Sequence, residues 1–139
     1  MRRLVRTGCL LVAATAGWGG GGCSLGPSTK RFERMAHRPA GADVQVDLGR
    51  ERPLVAGELL ELQDTALLVR EAGGAITLIP FRLVQAGRVP DRGTTWKGSP
   101  RGETWDRLRL LSRFPYGLAA PQLQALLAAY GRDSLTVVR

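Results

Sequence analysis

The chain has 139 residues, of which 44% are hydrophobic and 23% charged, enough for one small globular domain. Twenty Lys and Arg against twelve Asp and Glu give a formal net charge of +8. One histidine and two cysteines are too few for a His/Cys metal centre or a framework of several disulfides.

The first 22 residues have the order of a secretory signal peptide. Three arginines within residues 2–6 precede an uncharged and mostly apolar stretch over residues 7–18, and small residues follow. A positive start, an apolar core and a small-residue exit are typical of a leader removed on export. The apolar stretch is shorter than the roughly 20 residues that span a bilayer as a helix. We therefore predict export, with residues 1–22 as the signal peptide.

Residues 20–23 read Gly-Gly-Gly-Cys and are followed by Ser24. They resemble the lipobox of bacterial lipoproteins, where a cysteine after small residues is acylated and becomes the new N-terminus; Gly20 stands where that family usually has an aliphatic residue. The resemblance implies a lipid on Cys23 that holds the protein on a membrane. Cleavage there leaves Cys23 as the only cysteine, so no intramolecular disulfide can form. Cleavage after Ala16, at an A-x-A site, is the alternative and leads to a soluble secreted protein.

The same resemblance implies the location, because the residue after the cysteine influences sorting in such lipoproteins. Ser24 there, rather than Asp, implies the periplasmic face of the outer membrane in the cell envelope. Residues 23–42 are polar, contain Pro27 and Pro39 and have no continuous apolar face, so we predict a tether. The only histidine, His37, lies in this tether, and we predict neither a metal site nor a cofactor.

Apolar residues alternate with polar ones from Asp43 onward, which predicts a small β-rich domain over residues 43–90. Gly57 interrupts the second strand and predicts a bulge or sharp bend. Short strands joined by tight turns suit a small curled sheet or barrel. The five predicted strands cover residues 43–48, 54–62, 66–70, 75–79 and 84–89.

The motifs of this domain are Val55-x-Gly57-x-Leu59, a turn at Asp64, a Gly73-Gly74 hairpin, and Ile79-Pro80-Phe81 before a last strand. Over residues 43–89 this arrangement resembles the small barrels of the Sm and PRC kind, with a Src-homology-3-type, five-stranded architecture. The nucleotide-contacting signature of the Sm family is not recognisable, so the resemblance does not imply RNA binding. Nucleic acid is not a favoured partner.

Residues 91–103 are rich in Gly and Pro and predict a loop. Residues 104–139 predict two short helices and a last strand within residues 134–138, packed on the barrel, and the whole is an α+β fold. The first helix is predicted from Trp105, Leu108, Leu111 and Phe114, at helical spacing and ended by Pro115. The second is predicted from Pro121, Leu123, Leu126, Leu127, Tyr130 and Gly131.

No catalytic constellation stands out, and we predict a protein that is not an enzyme. Glu58 and Glu61 fall on opposite faces of a regular strand, which argues against a glycosidase-like carboxylate pair. A serine nucleophile has no histidine base outside the tether.

Arginine makes up 18 of the 20 basic residues, and without the leader 17 basic and 12 acidic residues leave a net charge of +5. Such arginine enrichment also follows from a genome rich in G and C. The first predicted function is an interaction or scaffolding module with an envelope protein as partner. The alternative is a binder of anionic ligands such as lipid head groups, polyanions or nucleic acid. Its candidate anion-binding residues are Arg101, Arg107, Arg109 and Arg113, near Trp96, Trp105 and Phe114.

The anchor is tested by replacing Cys23 with serine in the full chain. Because Cys23 carries the predicted lipid, Cys23→Ser should move the protein from the detergent phase to the aqueous phase or leave it unprocessed. Phase partitioning and intact mass measure this. Unchanged partitioning and mass contradict the lipoprotein prediction, and Cys9→Ser is the matched control expected to change neither.

Overall fold

The computed structural model describes residues 40–139, so the signal peptide, Cys23 and His37 lie outside the described residues. The described chain is an α+β fold of one seven-stranded sheet and two helices. The strands are β1 Asp43–Asp47, β2 Val55–Gln63, β3 Ala66–Glu71, β4 Ile76–Pro80, β5 Ala86–Val89, β6 Thr94–Lys97 and β7 Thr136–Val137. The helices are α1 Gly102–Leu111 and α2 Ala120–Ala129, and single 3-10 turns cover Phe81–Leu83 and Pro90–Arg92.

The strand order across the sheet is β6-β5-β1-β2-β3-β4-β7. All neighbours are antiparallel except β4 and β7, which are parallel. The five predicted strands form the middle of this sheet, and a last strand lies within the predicted residues 134–138. The alternation of apolar and polar residues therefore located the central strands.

Two predictions about the sheet are wrong. The sheet is not closed into a barrel: its edge strands β6 and β7 each pair with one neighbour and not with each other. The apolar face that a barrel would close on itself is covered by α1 instead. Residues 94–97, predicted within a loop, form β6, where Thr94 and Trp96 are buried and alternate with exposed Thr95 and Lys97.

The two helices pack on opposite faces of the sheet, which we name the α1 face and the α2 face. Leu108 and Leu111 of α1 join a core with inward residues of six strands. On the other face, Leu127 of α2 packs with residues of β2, β3 and β4. The strand residues of the α1 face include Val44, Val46, Leu59, Val69, Ile79, Val89 and Trp96, and those of the α2 face include Leu60, Leu68 and Ile76.

Strand β2 contains a β-bulge at Leu60. Its pairing with β3 is regular up to Leu59 opposite Val69 and resumes with Glu61 opposite Leu68, so Leu60 is the extra residue. The predicted irregularity was at Gly57, which has a different role. A Cβ atom on Gly57 would lie 2.1 Å from the carbonyl oxygen of Arg70, so the close approach of β3 requires glycine there.

The bulge is where the chain crosses from one face to the other. The amides of Arg113 and Phe114 donate to the carbonyls of Leu59 and Leu60, at 3.0 and 2.9 Å. Successive carbonyls of a regular strand point to opposite edges, so only a bulge lets two of them accept from consecutive amides. Helix α1 therefore ends at Leu111, short of the predicted Phe114, whose side chain packs in the cluster of the α2 face.

Helix α2 begins and ends close to the predicted positions. Pro121 lies in its first turn, and Gly131 after its end adopts a φ of +63°, the left-handed conformation that favours glycine. Leu127 is 2% exposed, and Leu123, Leu126 and Tyr130 are partly buried beside it. The predicted apolar stripe packs on the sheet of its own chain.

Replacement of Leu127 tests this packing. Leu127→Ala should lower the free energy of unfolding by about 2–5 kcal/mol, because it leaves a cavity between α2 and the sheet. Leu127→Asp should abolish cooperative unfolding, since a buried carboxylate without a partner is worse than a cavity. Ala128→Asp, at the exposed neighbouring position, is the control. Thermal and urea unfolding measure all three, and a fully stable Leu127→Asp protein contradicts the packing.

Candidate functional site

Within residues 40–139, the α2 face of the sheet is only half covered. Helix α2 and its flanking segments lie over β2, β3 and β4. A helix about 10 Å across covers two or three strands spaced about 4.8 Å apart, so it does not reach the other side of a seven-stranded sheet. The uncovered strands β1, β5 and β6 form the floor of a cleft of about 560 Å³. We name this cleft the groove; its lining residues are Gln45, Asp47, Leu54, Ala86, Gly87, Arg88, Thr95, Trp96 and Lys97.

Strand register places the polar side chains of the groove in two rows. Gln45 pairs with Arg88, which pairs with Thr95, and Asp47 pairs with Ala86, which pairs with Lys97. Paired residues point to the same face of a sheet, so both rows point out of the groove floor. Leu54 flanks the rows and is 56% exposed, one of three large apolar side chains in residues 40–139 that are mainly exposed.

The charges of the groove are predominantly positive. Arg88 Nε donates to Gln45 Oε1 at 2.8 Å, which orients the guanidinium and leaves its terminal nitrogens toward solvent. Lys97 is exposed and has no ion pair within residues 40–139. The carboxylate of Asp47 accepts the amide of Gly49 at 2.8 Å in its own turn. The groove therefore offers two cations and an exposed leucine to a ligand.

The strands below the groove are held by Gly87 and Trp96. A Cβ atom on Gly87 would lie 2.0 Å from Cζ2 of Trp96, so the indole rests directly on the backbone of β5. Trp96 is buried in the α1-face core, and Trp105 packs edge-on against Phe81 with ring centroids 5.8 Å apart. These tryptophans are core residues, and neither forms an aromatic surface beside the candidate anion-binding arginines.

A second polar cluster surrounds Glu58, which is 6% exposed on β2. Its Oε2 accepts from Nε and Nη2 of Arg70, both at 2.8 Å, and its Oε1 accepts the amide of Gly41 at 2.8 Å. Arg113 Nη1 lies 3.8 Å from the same Oε1. One buried carboxylate thus connects the start of the described chain, strand β3 and the crossing segment at Arg113.

Arg70 is fixed from two sides. Its hydrogen bond to Glu58 raises the pKa of the guanidinium above its ordinary value. The guanidinium carbon also lies 5.0 Å from the ring centroid of Tyr130, a cation–π contact with the end of α2. Arg70 therefore connects the Glu58 cluster to the C-terminal helix.

Glu61 holds the segment that follows the crossing. It is 7% exposed, its Oε1 accepts the amide of Leu118 at 2.8 Å, and its Oε2 accepts from Gln63 Nε2 at 2.8 Å. The prediction that Glu58 and Glu61 lie on opposite faces is wrong, because the bulge at Leu60 turns Glu61 to the α2 face, where Glu58 already points. Each carboxylate is engaged in holding the C-terminal segment on the sheet.

The four candidate anion-binding arginines lie in different environments. Arg113 belongs to the Glu58 cluster, and its guanidinium lies 5.5 Å from the ring centroid of Phe114. Arg107 donates to Glu103 one turn earlier on α1. Arg101 and Arg109 are exposed, one before α1 and one in its last turn.

Sequence reasoning missed Arg88, Lys97 and Leu54 as members of one site. The alternation within β5 predicts that Arg88 points outward. It does not show that β6 exists or that α2 leaves this part of the sheet open.

Among residues 40–139, no group of three or more His, Cys, Asp or Glu side chains is arranged to hold a metal ion. No helix in this part of the chain is long and apolar enough to cross a membrane. Comparisons of the chain with protein-family models, curated proteins and solved structures found no match.

The Glu58 cluster is tested by Glu58→Gln, which keeps the shape of the side chain and removes its charge. Arg70 and Arg113 then lose their shared carboxylate, and the free energy of unfolding should fall by about 1–3 kcal/mol. This loss of stability is smaller than for a fully buried ion pair, because the guanidiniums of Arg70 and Arg113 are both partly exposed to solvent. Glu51→Gln, an exposed carboxylate, is the control for net charge. Equal urea midpoints for the two variants contradict the assignment.

Proposed function

We propose that this protein is an exported lipoprotein of the cell envelope whose folded domain is a non-enzymatic interaction module. A lipid on Cys23 holds it on the periplasmic face of the outer membrane, and the segment between Cys23 and Gly41 is the tether, since Gly41 and Ala42 are hydrogen-bonded to the folded domain. The groove over β1, β5 and β6 binds the partner, an envelope protein.

The open groove is the observation that carries this proposal. Its volume of about 560 Å³ lies within the range of about 300–1,000 Å³ typical of ligand-binding clefts. It combines an exposed apolar side chain, Leu54, with oriented polar groups on rigid strands. Such a combination is typical of surfaces that recognise a segment of another protein, where apolar contact supplies affinity and charges supply specificity.

The charges indicate the chemistry of the partner segment. Arg88 and Lys97 present cations, while Asp47 is engaged with the Gly49 amide of its own turn. A segment that carries carboxylates around an apolar side chain complements this arrangement: the carboxylates meet the two cations, and the apolar side chain lies on Leu54.

The anchor suits an interaction module of modest affinity. A lipid-anchored protein and a partner in the same membrane meet at a raised effective concentration, so a small groove is enough for a functional contact. Two of the four candidate anion-binding arginines, Arg107 and Arg113, are each already near a carboxylate, which favours this role over polyanion binding by that group.

A photo-cross-linking side chain at Thr95, in the groove, tests the proposal in the full chain expressed in its own cell envelope. We expect a discrete adduct with an envelope protein from Thr95 and none from Gln124, an exposed position on α2. Arg88→Glu with Lys97→Glu should lower the yield about tenfold, because like charges then face the partner's carboxylates.

The matched control is Arg82→Glu with Arg109→Glu, the same charge change at two exposed positions outside the groove. It should leave the adduct unchanged. Equal adducts from Thr95 and Gln124, or equal losses in the two double variants, contradict the assignment of the groove as the partner-binding surface.

A further inference from the structure

A second, smaller cleft lies between the start of β6 and the first two turns of α1. It has a volume of about 140 Å³ and is lined almost entirely by polar groups. We name it the polar cleft; its residues are Gly93, Thr94, Thr95, Glu103, Thr104 and Arg107. Threonine residues and one ion pair therefore line a space that is separate from the Glu58 cluster.

The polar cleft contains an unsatisfied buried hydroxyl. Thr94 is 6% exposed, and its Oγ1 is buried without a hydrogen-bond partner in residues 40–139. Buried polar groups are normally paired, so the hydroxyl of Thr94, a residue that lines the polar cleft, lacks a partner that a ligand can supply.

One partner of the cation in the polar cleft is a carboxylate that an anion can replace. Arg107 donates to Glu103, whose side chain is 78% exposed. An exposed pair one helical turn apart contributes little to stability. The carboxylate of Glu103 therefore occupies a position that attracts an anion. Because this side chain is mostly exposed, it can move away from Arg107 at a small cost in free energy.

The backbone at the start of α1 also favours an anion in the polar cleft. Glu103 and Thr104 lie in the first turn of α1, where backbone N–H groups lack acceptors within the helix, and the residue before the helix supplies no side-chain cap. The positive end of the helix favours negative charge nearby.

We propose that the polar cleft binds a small tetrahedral oxyanion of the size of phosphate or sulfate. The anion accepts from Arg107 and from the hydroxyls of Thr94 and Thr104, and it replaces Glu103 on the guanidinium. The volume fits, since about 140 Å³ corresponds to four or five waters at roughly 30 Å³ each. This site shares only Thr95 with the lining of the partner-binding groove, and it assigns only one of the four candidate arginines.

Titration of the full chain with inorganic phosphate, against chloride at equal ionic strength, tests the site by calorimetry. Phosphate should bind and chloride should not. Thr94→Val should weaken binding about tenfold or more and should not unfold the protein, because a methyl group replaces a hydroxyl that has no partner. Arg107→Gln should weaken binding by at least as much, through loss of a charge-assisted bond. Glu103→Gln should tighten it severalfold, since the competing carboxylate loses its charge.

Arg109→Gln and Thr136→Val are the matched controls, at exposed positions away from the polar cleft, and both should bind phosphate as the unchanged protein does. Three results overturn the proposal: phosphate binding no tighter than chloride, normal binding by Thr94→Val, or equal weakening by Arg107→Gln and Arg109→Gln. The last result would show diffuse attraction by net charge. Because the groove residues are intact in every variant, failure here leaves the cross-linking result from Thr95 unaffected.

A phosphate on a lipid head group shares the chemistry of free phosphate. Flotation with vesicles of phosphatidylglycerol separates these sources, using the protein with Cys23→Ser so that no lipid anchor contributes. Vesicle binding that Thr94→Val removes supports the same site with a head-group phosphate. Vesicle binding that Thr94→Val leaves unchanged, together with loss of inorganic phosphate binding, supports a site for the free anion.

Discussion

The β-bulge at Leu60 is the constraint on which the arrangement of this fold depends. It turns two successive carbonyls of β2 to one edge, where the amides of Arg113 and Phe114 bind them. The chain can therefore leave α1 on one face, pass the end of β1 and continue on the other face without losing backbone hydrogen bonds. The same bulge turns Glu61 to the α2 face, where Glu58 already points, and both carboxylates hold the segment that has just crossed.

The crossing determines which part of the α2 face is left open. The C-terminal segment leaves β2 at Phe114 and returns to the sheet as β7 beside β4, so its helix lies over β2, β3 and β4. No other part of residues 40–139 covers the outer surface of β1, β5 and β6, and the groove occupies this surface. The proposed site is therefore a consequence of the path of the C-terminal segment, built on strands whose inner side is the main core.

Local sequence patterns predicted the elements that carry their own signal. Alternating apolar residues located the five central strands, and Pro121 with the Leu123–Tyr130 stripe and Gly131 located α2. Strand β6 was missed because four residues between glycines carry too little periodicity to be separated from a loop. The bulge at Leu60 depends on residues more than 50 positions later, and no pattern within β2 reveals it. The groove likewise depends on what α2 leaves uncovered, so Arg88 and Lys97 had no sequence signal as a pair.

The accessibility of the two halves of the α2 face tests this account most directly. Two single-cysteine variants, with Cys9 and Cys23 replaced by serine, compare Ala86→Cys in the groove with Leu78→Cys beneath the C-terminal segment. Both native residues are partly buried, so they differ mainly in what lies above them. We expect thiol labelling of Ala86→Cys under native conditions near the rate of an exposed site, and labelling of Leu78→Cys that is slower by at least about tenfold. Equal protection at the two positions would contradict it, because the groove would then be covered in the intact chain.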